Sequence, residues 1–168
     1  YVWTQLSLKG ATRRSLMINL GGGMVTDLGG FAAATFKRGI SMINIPTTLL
    51  GMVDASVGGK TGINFNGLKN EIGAFAPAVL IDCGFLKSLD RENLLSGYAE
   101  MLKHGLISNA CHWSELVGFD LNRIDYGCLQ RLVGKSIEVK EQIVRQDPFE
   151  KGIRKALNFG HTVGHAFE

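Results

Sequence analysis

The sequence lacks the long apolar segment that a membrane-spanning helix requires. No uninterrupted apolar run approaches 18 residues, so a transmembrane helix is excluded, and no secretory signal precedes the first predicted strand. The three cysteines, Cys83, Cys111 and Cys128, form no Cys-x-x-Cys pattern. Free thiols in a reducing compartment are therefore expected, rather than a disulfide framework or a thiolate metal site. These absences predict a cytoplasmic protein with no membrane partner.

A large excess of charge is also missing. A formal net charge of +3 over 168 residues is too small to indicate a nucleic-acid partner. A hydrophobic content of 45% and a charged content of 20% are ordinary for a soluble globular protein, and the length allows one or two domains. Because the chain begins Tyr-Val-Trp without a methionine and stops within a predicted helix, we expect an internal part of a longer protein.

The first half of the chain alternates apolar strands with a helix. Strand, helix and strand at this spacing predict a parallel, Rossmann-like α/β sheet. Before the third strand, a segment rich in glycine and asparagine cannot form a regular helix, and Asn66-Gly67 within it predicts a tight hairpin turn. The predicted elements are a strand at residues 15–20, a turn at 21–23, a helix at 24–36, and strands at 40–45 and 78–82.

The second half changes character near residue 91, where helical patterns replace strand patterns. We place a domain boundary near residues 89–93, with an α/β domain at 1–90 and a helical domain at 91–168. The two domains would face each other across a cleft, which is a common place for a ligand site. The predicted helices cover residues 93–107, 129–146 and 153–168.

The glycine turn is the first candidate for binding phosphate. Gly21, Gly22 and Gly23 follow a strand and open a helix, where backbone N–H groups at the positive helix end can meet a phosphate. A tight structural turn is the alternative, and the pattern is not the Gly-x-Gly-x-x-Gly of dinucleotide sites. Asp27, one turn further on, either complements the helix dipole or accepts a ribose hydroxyl.

A second candidate is the loop at residues 54–61 (DASVGGKT), which nearly matches a Walker A sequence. Asp54 stands where the first glycine belongs, and no helical pattern follows, so an ATPase loop is disfavoured. Lys60 remains on a glycine-rich loop, ahead of the hairpin that carries Lys69 and Asn70. A flexible surface lysine is the alternative to a binding role.

A polar stripe is predicted on the last helix. Spacings of four, three and four place Arg154, Asn158, His161 and His165 within roughly 60° of one another if that helix is continuous. The two histidines could bind one metal ion together, or one could be a ligand beside a proton-transfer group.

Charged residues elsewhere extend this candidate site. Glu100 and Lys103 share a helix face as either a solvated ion pair or a metal-ligand glutamate beside a phosphate-binding lysine. Six cations would hold an anionic ligand if they converge on the cleft, although each singly is more typical of a solvated surface charge. They are Arg38, Lys60, Lys69, Lys103, Lys140 and Arg154.

Six segments of the chain resemble the 3-dehydroquinate synthase family of sugar-phosphate cyclases. The most specific are DASVGGKTGIN (54–64) and LNFGHTVGHAFE (157–168). Departures are small: Thr26 stands where a glycine is usual, and Asp147-Pro148 where an acidic pair is common. Family members are about twice this long. The matching segments are residues 21–39, 45–64, 68–75, 78–89, 97–107 and 152–168.

The resemblance implies a lyase of the shikimate pathway that uses NAD and Zn²⁺ or Co²⁺. It would convert the phosphorylated keto acid 3-deoxy-D-arabino-heptulosonate 7-phosphate to 3-dehydroquinate and phosphate, as a homodimer. A ring hydroxyl is oxidised by NAD, phosphate is eliminated, the ketone is reduced again, and the ring opens and closes by aldol addition.

The resemblance also implies roles for individual residues. Glu100 and His161 would be metal ligands, while His165 and Glu150 would transfer protons. The groups that would contact NAD are Gly22, Gly23, Met24, Asp27, Thr47, Thr48, Lys69, Phe85, Leu86, Lys87 and Ser88. The groups that would meet the substrate are Arg38, Asp54, Lys60, Asn70, Lys103, Lys140, Arg154 and Asn158.

Three alternatives stay open at the level of sequence. A sister cyclase such as 2-deoxy-scyllo-inosose synthase would act on a different sugar phosphate. An iron-dependent alcohol dehydrogenase relative would show net NADH production, which the cyclase does not. Because a further metal-ligand histidine of the family lies outside this sequence, the isolated 168-residue chain is predicted to be inactive and to retain metal weakly.

Overall fold

In the computed structural model, the first half of the chain contains a parallel pair of strands connected by a helix. The structure describes residues 1–58, 60–75 and 78–161, with the backbone alone at 68–70 and 75. Strand β1 pairs in parallel with β2, so that Ile18 lies opposite Ile43. The elements are α1 (Val2–Leu8), β1 (Leu16–Gly21), α2 (Gly23–Thr35) and β2 (Ser41–Pro46). The predicted strands at 15–20 and 40–45 and the helix at 24–36 are confirmed, whereas α1 is not predicted.

A β-hairpin follows a short π-helix, Gly51–Ala55. Strands β3 (Lys60–Phe65) and β4 (Leu68–Phe75) are antiparallel. At the turn, Asn66 has φ 50° and Gly67 has φ 79°. Two left-handed residues in succession suit a two-residue hairpin, because their twist matches that of the flanking strands. The predicted hairpin is confirmed.

Helix α2 packs closely on both pairs of strands because it presents glycines to them. A Cβ on Gly29 would lie 2.1 Å from Asn19 Oδ1, and one on Gly30 would lie 2.4 Å from Thr61 Oγ1. Asn19 is buried and donates to Asn44 Oδ1 at 2.8 Å, so this polar pair is satisfied inside the sheet. A side chain at either glycine would push the helix away from the strands.

The prediction of a third strand at 78–82 is wrong, because this segment forms only an isolated bridge with β2. Val79 forms a single parallel bridge with Asn44, and the neighbouring bonds run from Asn44 N to Ala78 O and from Leu80 N to Asn44 O. The extended segment ends at Asp82, whose side chain accepts a hydrogen bond from Gly84 N at 2.8 Å and caps the 3₁₀ helix Cys83–Ser88.

Helices dominate the second half. They are α3 (Arg91–Ser108), α4 (Ala110–Val117) and α5 (Tyr126–Gln146). Each follows an N-cap residue whose side chain accepts a hydrogen bond from a backbone N–H of the first turn; these residues are Asp90, Asn109 and Asp125 respectively. The predicted helices at 93–107 and 129–146 are confirmed, and α4 is not predicted. Among the described residues, none of the helices combines the length and apolar character needed to cross a bilayer. The α/β first part followed by a helical second part is as predicted.

The larger hydrophobic core joins the π-helix to the three long helices. Met52 and Leu49 are fully buried against residues that include Met101, Leu116 and Leu129. Burial of a side chain of this size stabilises the fold by about 1.5–3 kcal/mol. The core therefore packs the π-helix, which contains Asp54, against α3 and α5.

The predicted continuous helix at 153–168 is wrong in its first half. Ile153–Asn158 is a 3₁₀ helix, Phe159 has ψ 126°, and Gly160 has φ 83°. Three residues per turn and a left-handed glycine break the register on which the polar stripe depends. His161, the last described residue, has a helical backbone, and His165 lies outside the described residues. Arg154 and Asn158 therefore do not share a helix face with His161.

Candidate functional site

A cleft of about 440 Å³ lies between the hairpin, the π-helix and α5. Small residues on the hairpin leave space on one side, and charged residues line the rest. The lining residues are Asp27, Asp54, Ala55, Val57, Lys60, Thr61, Gly62, Gly73, Ala74, Lys140 and Arg154. Mixed carboxylate and cationic groups around a cavity of this size suit a small polar anion.

An ion pair of Asp54 and Lys140 forms the floor of this cleft. Lys140 is 6% exposed, and its Nζ donates to both the carboxylate and the backbone carbonyl of Asp54. Burial lowers the pKa of Lys140, and the charge of Asp54 opposes that change. A cation held in this way can hold a negative charge on a ligand or exchange a proton with it.

Asp27 faces the same pair from α2. Burial and the nearby charge of Asp54 raise the pKa of Asp27 to about 6, and Lys140 counteracts them in part. The hydroxyl of Thr61 donates to the backbone carbonyl of Asp27, which ties α2 to the hairpin.

Asp27→Asn is expected to stabilise the protein at pH 7 by about 1 kcal/mol, after allowance for partial solvent exposure. In the folded wild type, burial raises the pKa of Asp27 from 3.8 to about 6, so the side chain keeps its proton to a higher pH than in the unfolded chain. The contribution of Asp27 to folding stability is therefore present in full below the unfolded pKa and is lost as pH rises through 6. Urea unfolding at pH 4 and pH 7 measures this, with Glu138→Gln, an exposed carboxyl, as the control. Equal effects of Asp27→Asn at both pH values would contradict it.

Lys60 lines the cleft and lies next to Glu150, which in turn binds Asn158. Lys60 Nζ lies 4.0 Å from Glu150 Oε2, and the side chains are 49% and 38% exposed. Asn158 Nδ2 donates to Glu150 Oε1 at 2.8 Å. Glu150 adopts φ 58°, a left-handed conformation that is uncommon outside glycine. Arg154, which lines the cleft, is buried and donates to Pro148 O at 3.0 Å.

Glu100, Lys103 and His104 form a second polar cluster on α3. Glu100 pairs with Lys103, and its Oε1 lies 3.3 Å from His104 Nε2. Burial alone would raise the pKa of Glu100, but His104 and Lys103 hold it at about 2. The buried Lys103 also donates to Leu157 O, which joins α3 to the 3₁₀ helix of Arg154. An ionised, buried carboxylate is a suitable metal ligand.

The described residues alone do not form a complete metal site. Within residues 1–58, 60–75 and 78–161, no group of three or more His, Cys, Asp or Glu side chains could hold a metal ion. His161 is partly buried, and His165 falls outside the described residues. An ionised carboxylate and an imidazole suit Zn²⁺ chemically, so Glu100 and His161 remain predicted ligands of an incomplete site.

Some of the predicted cofactor residues lie together at the carboxyl ends of β1 and β2. Gly22 caps α2, and a Cβ there would lie 3.1 Å from Thr48 Cγ2. Thr47 N donates to Gly21 O at 2.9 Å, which joins the two connections. Met24 is 73% exposed at the helix start. This edge of a parallel sheet, beside a helix N-terminus, fits a dinucleotide phosphate.

The structure gives weaker support for the other residues that were predicted to bind cofactor or substrate. Phe85–Ser88 belong to the 3₁₀ helix after the bridge, and the Leu86 side chain is buried in the main core. Arg38 is exposed at the other end of α2 and does not line the cleft. For Lys69 and Asn70 only the backbone in β4 is described. Of the six predicted cations, Lys60, Lys140 and Arg154 line the cleft.

Two residues near the site are absent from the sequence-based predictions. His104 lies four residues after Glu100, and that spacing alone indicates a shared helix face. Asp147 binds several backbone amides after α5, and the following Pro148 and Gly152 are the signal of a turn.

Comparison with known proteins assigns the chain to a family. Residues 1–96 match the family described as 3-dehydroquinate synthase N-terminal, and residues 97–168 match 3-dehydroquinate synthase C-terminal. The chain is 66% identical over 169 aligned positions to 3-dehydroquinate synthase of Parabacteroides distasonis, covering 99% of this chain and 48% of that relative. It spans about half the length of the curated relatives it matches.

Solved structures of related cyclases have the same fold. A 2-epi-5-epi-valiolone synthase of Streptomyces hygroscopicus, with NAD⁺ and Zn²⁺ bound, is 33% identical with a TM-score of 0.87 and covers 99% of this chain and 48% of its own. A 2-deoxy-scyllo-inosose synthase, complexed with carbaglucose-6-phosphate, NAD⁺ and Co²⁺, is 28% identical with a TM-score of 0.87 and covers 98% and 47%. With both halves matched by its sequence models, this chain belongs to the 3-dehydroquinate synthase family.

Proposed function

We propose that the complete protein is a 3-dehydroquinate synthase that acts in the shikimate pathway. It converts 3-deoxy-D-arabino-heptulosonate 7-phosphate to 3-dehydroquinate and inorganic phosphate. The observation that carries this proposal is the convergence of Asp54, Lys60, Lys140 and Arg154 on one cleft, in a chain 66% identical to a synthase of that name.

The cations of the cleft have the arrangement that phosphate elimination requires. A leaving phosphate needs positive charge near its oxygens, and a base must remove the adjacent proton. Lys60 and Arg154 both line the cleft and supply positive charge there. Glu150, 4.0 Å from Lys60, is the carboxylate placed to move a proton beside them. His165 is proposed as a further proton-transfer group from the sequence alone.

We propose NAD and a divalent metal, Zn²⁺ or Co²⁺, as cofactors. The relatives with bound NAD⁺ and Zn²⁺ or Co²⁺ support this assignment. Bound NAD supplies hydride chemistry, and the metal lowers the pKa of the alcohol to be oxidised. Gly22, Gly23 and Thr48 would hold the dinucleotide, and Glu100 and His161 would hold the metal.

The organisation of the whole protein is likewise proposed. An α/β domain at 1–90 and a helical domain at 91–168 would each extend into the remaining half of the polypeptide. The protein would work as a cytoplasmic homodimer, by analogy with the family. Size-exclusion chromatography with light scattering on the complete protein tests the dimer.

A sister cyclase activity is the second candidate. The likeness to 2-epi-5-epi-valiolone synthase and 2-deoxy-scyllo-inosose synthase, each with a TM-score of 0.87, favours it. Identity to those two proteins is 33% and 28%, against 66% for the dehydroquinate synthase relative. The higher identity favours the heptulosonate as substrate.

Phosphate release from each substrate tests these proposals. The complete protein, supplied with NAD and Zn²⁺, is incubated with the heptulosonate 7-phosphate or with glucose 6-phosphate. Release from the heptulosonate alone, without net NADH, supports the synthase. Release from glucose 6-phosphate alone would replace it with the sister cyclase, and accumulation of NADH would indicate a dehydrogenase.

The isolated 168-residue chain is expected to show no turnover in the same assay and to lose Zn²⁺ on dialysis. Its described residues contain no three-ligand metal group, and a site with fewer protein ligands binds zinc weakly. Metal content after dialysis measures this directly. Stoichiometric zinc, or measurable phosphate release by the isolated chain, would contradict the expectation.

A further inference from the structure

The segment that follows α5 turns around one carboxylate. Asp147 Oδ1 accepts a hydrogen bond from Lys151 N at 2.9 Å, and Oδ2 accepts from Gly152 N at 2.6 Å and from Arg154 N at 3.2 Å. Three backbone amides of one short loop thus point at a single side chain. A carboxylate that accepts several N–H groups forms strong, charge-assisted bonds, so the loop has one preferred shape.

This loop carries Glu150, which lies beside the cleft residue Lys60, and it ends at Arg154, which lines the cleft. Glu150 lies within it in a left-handed conformation, with φ 58°. Such a backbone costs a non-glycine residue on the order of 1 kcal/mol or more, and persists only where its surroundings determine it. Glu150 is bound by Asn158 and lies 4.0 Å from Lys60, while Arg154 ends the loop and lines the cleft.

A second bond closes the loop from inside. The guanidinium of Arg154 donates to Pro148 O at 3.0 Å, so the last residue of the loop contacts one of its first. The backbone amides of Gly152 and Lys151 hold the pKa of Asp147 below its usual range, so the carboxylate is ionised at neutral pH. The charged form is the one that binds the amides best.

We infer that Asp147 is a positioning residue for the reaction: its carboxylate fixes the 147–154 loop so that Glu150 is held beside Lys60 and Arg154 lines the cleft. Asp147 itself does not line the cleft, and it acts through these two residues. The catalytic part of this inference rests on the proposed function, whereas the loop geometry does not.

The test compares Asp147→Ala and Asp147→Asn in the complete protein, with Asp125→Ala as the matched control. Asp125 accepts from Gly127 N and Cys128 N at the other end of α5, so its removal also deletes a carboxylate that binds backbone amides. Hydrogen exchange of the Lys151, Gly152 and Arg154 amides is measured together with kcat and KM for phosphate release. Thermal unfolding of the same variants reports general damage.

For Asp147→Ala we expect faster exchange of those amides and a kcat/KM about 10- to 100-fold below that of Asp125→Ala, because a small misplacement of a reacting group is costly. Asp147→Asn, which keeps one acceptor oxygen, should lie between Asp147→Ala and the wild type in both readouts. Unchanged exchange, or a kcat/KM equal to that of Asp125→Ala, would overturn the inference.

Failure of the proposed function gives a different result. If the wild type releases no phosphate from either sugar phosphate, the synthase proposal fails, while the exchange experiment still decides whether Asp147 holds the loop. In that case affinity for inorganic phosphate, measured by calorimetry, replaces turnover. Weaker phosphate binding by Asp147→Ala than by Asp125→Ala would support positioning of Arg154, and equal binding would overturn it.

Discussion

Replacement of Lys60 by alanine in the complete protein is expected to lower the kcat of the proposed synthase reaction by about 100- to 1000-fold, the usual effect of removing one preorganised charge donor. Lys60 lies at the start of β3 and lines the cleft, with Nζ 4.0 Å from the Glu150 carboxylate. Under the proposed function, loss of its charge removes a partner for the leaving phosphate and changes the environment of the proposed proton-transfer group, Glu150.

Folding stability should hardly change in this variant. The Lys60 side chain is 49% exposed, so its truncation removes little packing, and an ion pair this exposed contributes at most about 1 kcal/mol. Lys155→Ala is the control, because Lys155 is an exposed lysine beside Arg154. A kcat for Lys60→Ala equal to that of Lys155→Ala would refute the assigned role.

Gly97→Ala is expected to destabilise the protein by about 3 kcal/mol, the upper range for overpacking in a core. A Cβ on Gly97 would lie 2.4 Å from Leu50 N and 2.7 Å from Leu49 C. These are backbone atoms of the connection between β2 and the π-helix, so no side-chain rotation relieves the clash. Helix α3 would move away from that connection and carry Glu100 and Lys103 with it.

Gly134→Ala provides the matched control for this substitution. Gly134 lies within α5, and a Cβ there would meet nothing within 4 Å. Alanine in an open helix position should stabilise by about 0.5–1 kcal/mol, because glycine loses more backbone entropy on folding. Urea unfolding of both variants measures the contrast. Equal effects of the two substitutions would show that the close approach at Gly97 is unimportant.

Local patterns in the sequence were enough to predict most of the regular elements. The apolar runs ending at Leu20 and Ile45, the helical pattern before Phe36 and the Asn66-Gly67 turn are all present in the structure. These features depend on neighbouring residues, so the periodicity of side chains determines them. The glycine-rich and histidine-containing segments also indicated the family that the comparisons confirm.

Only the tertiary structure decided where a predicted helix is interrupted. The 3₁₀ helix at Ile153–Asn158 and the left-handed Gly160 separate Arg154 from His161, although their spacing suits one helix face. Lys103 binds the carbonyl of Leu157, and Asp147 binds the amides that lead into this segment, so distant partners favour the tighter helix. Spacing along a chain cannot reveal such partners.

In the candidate site, too, some features follow from the sequence and others only from the tertiary structure. Sequence determined which residues carry charge and which segments turn, because both depend on residue type and immediate neighbours. Only the folded chain brings Asp54 onto Lys140, 86 positions away, and leaves Arg38 outside the cleft. Convergence of this kind depends on the packing of the π-helix against α5, which is a property of the whole core rather than of any segment.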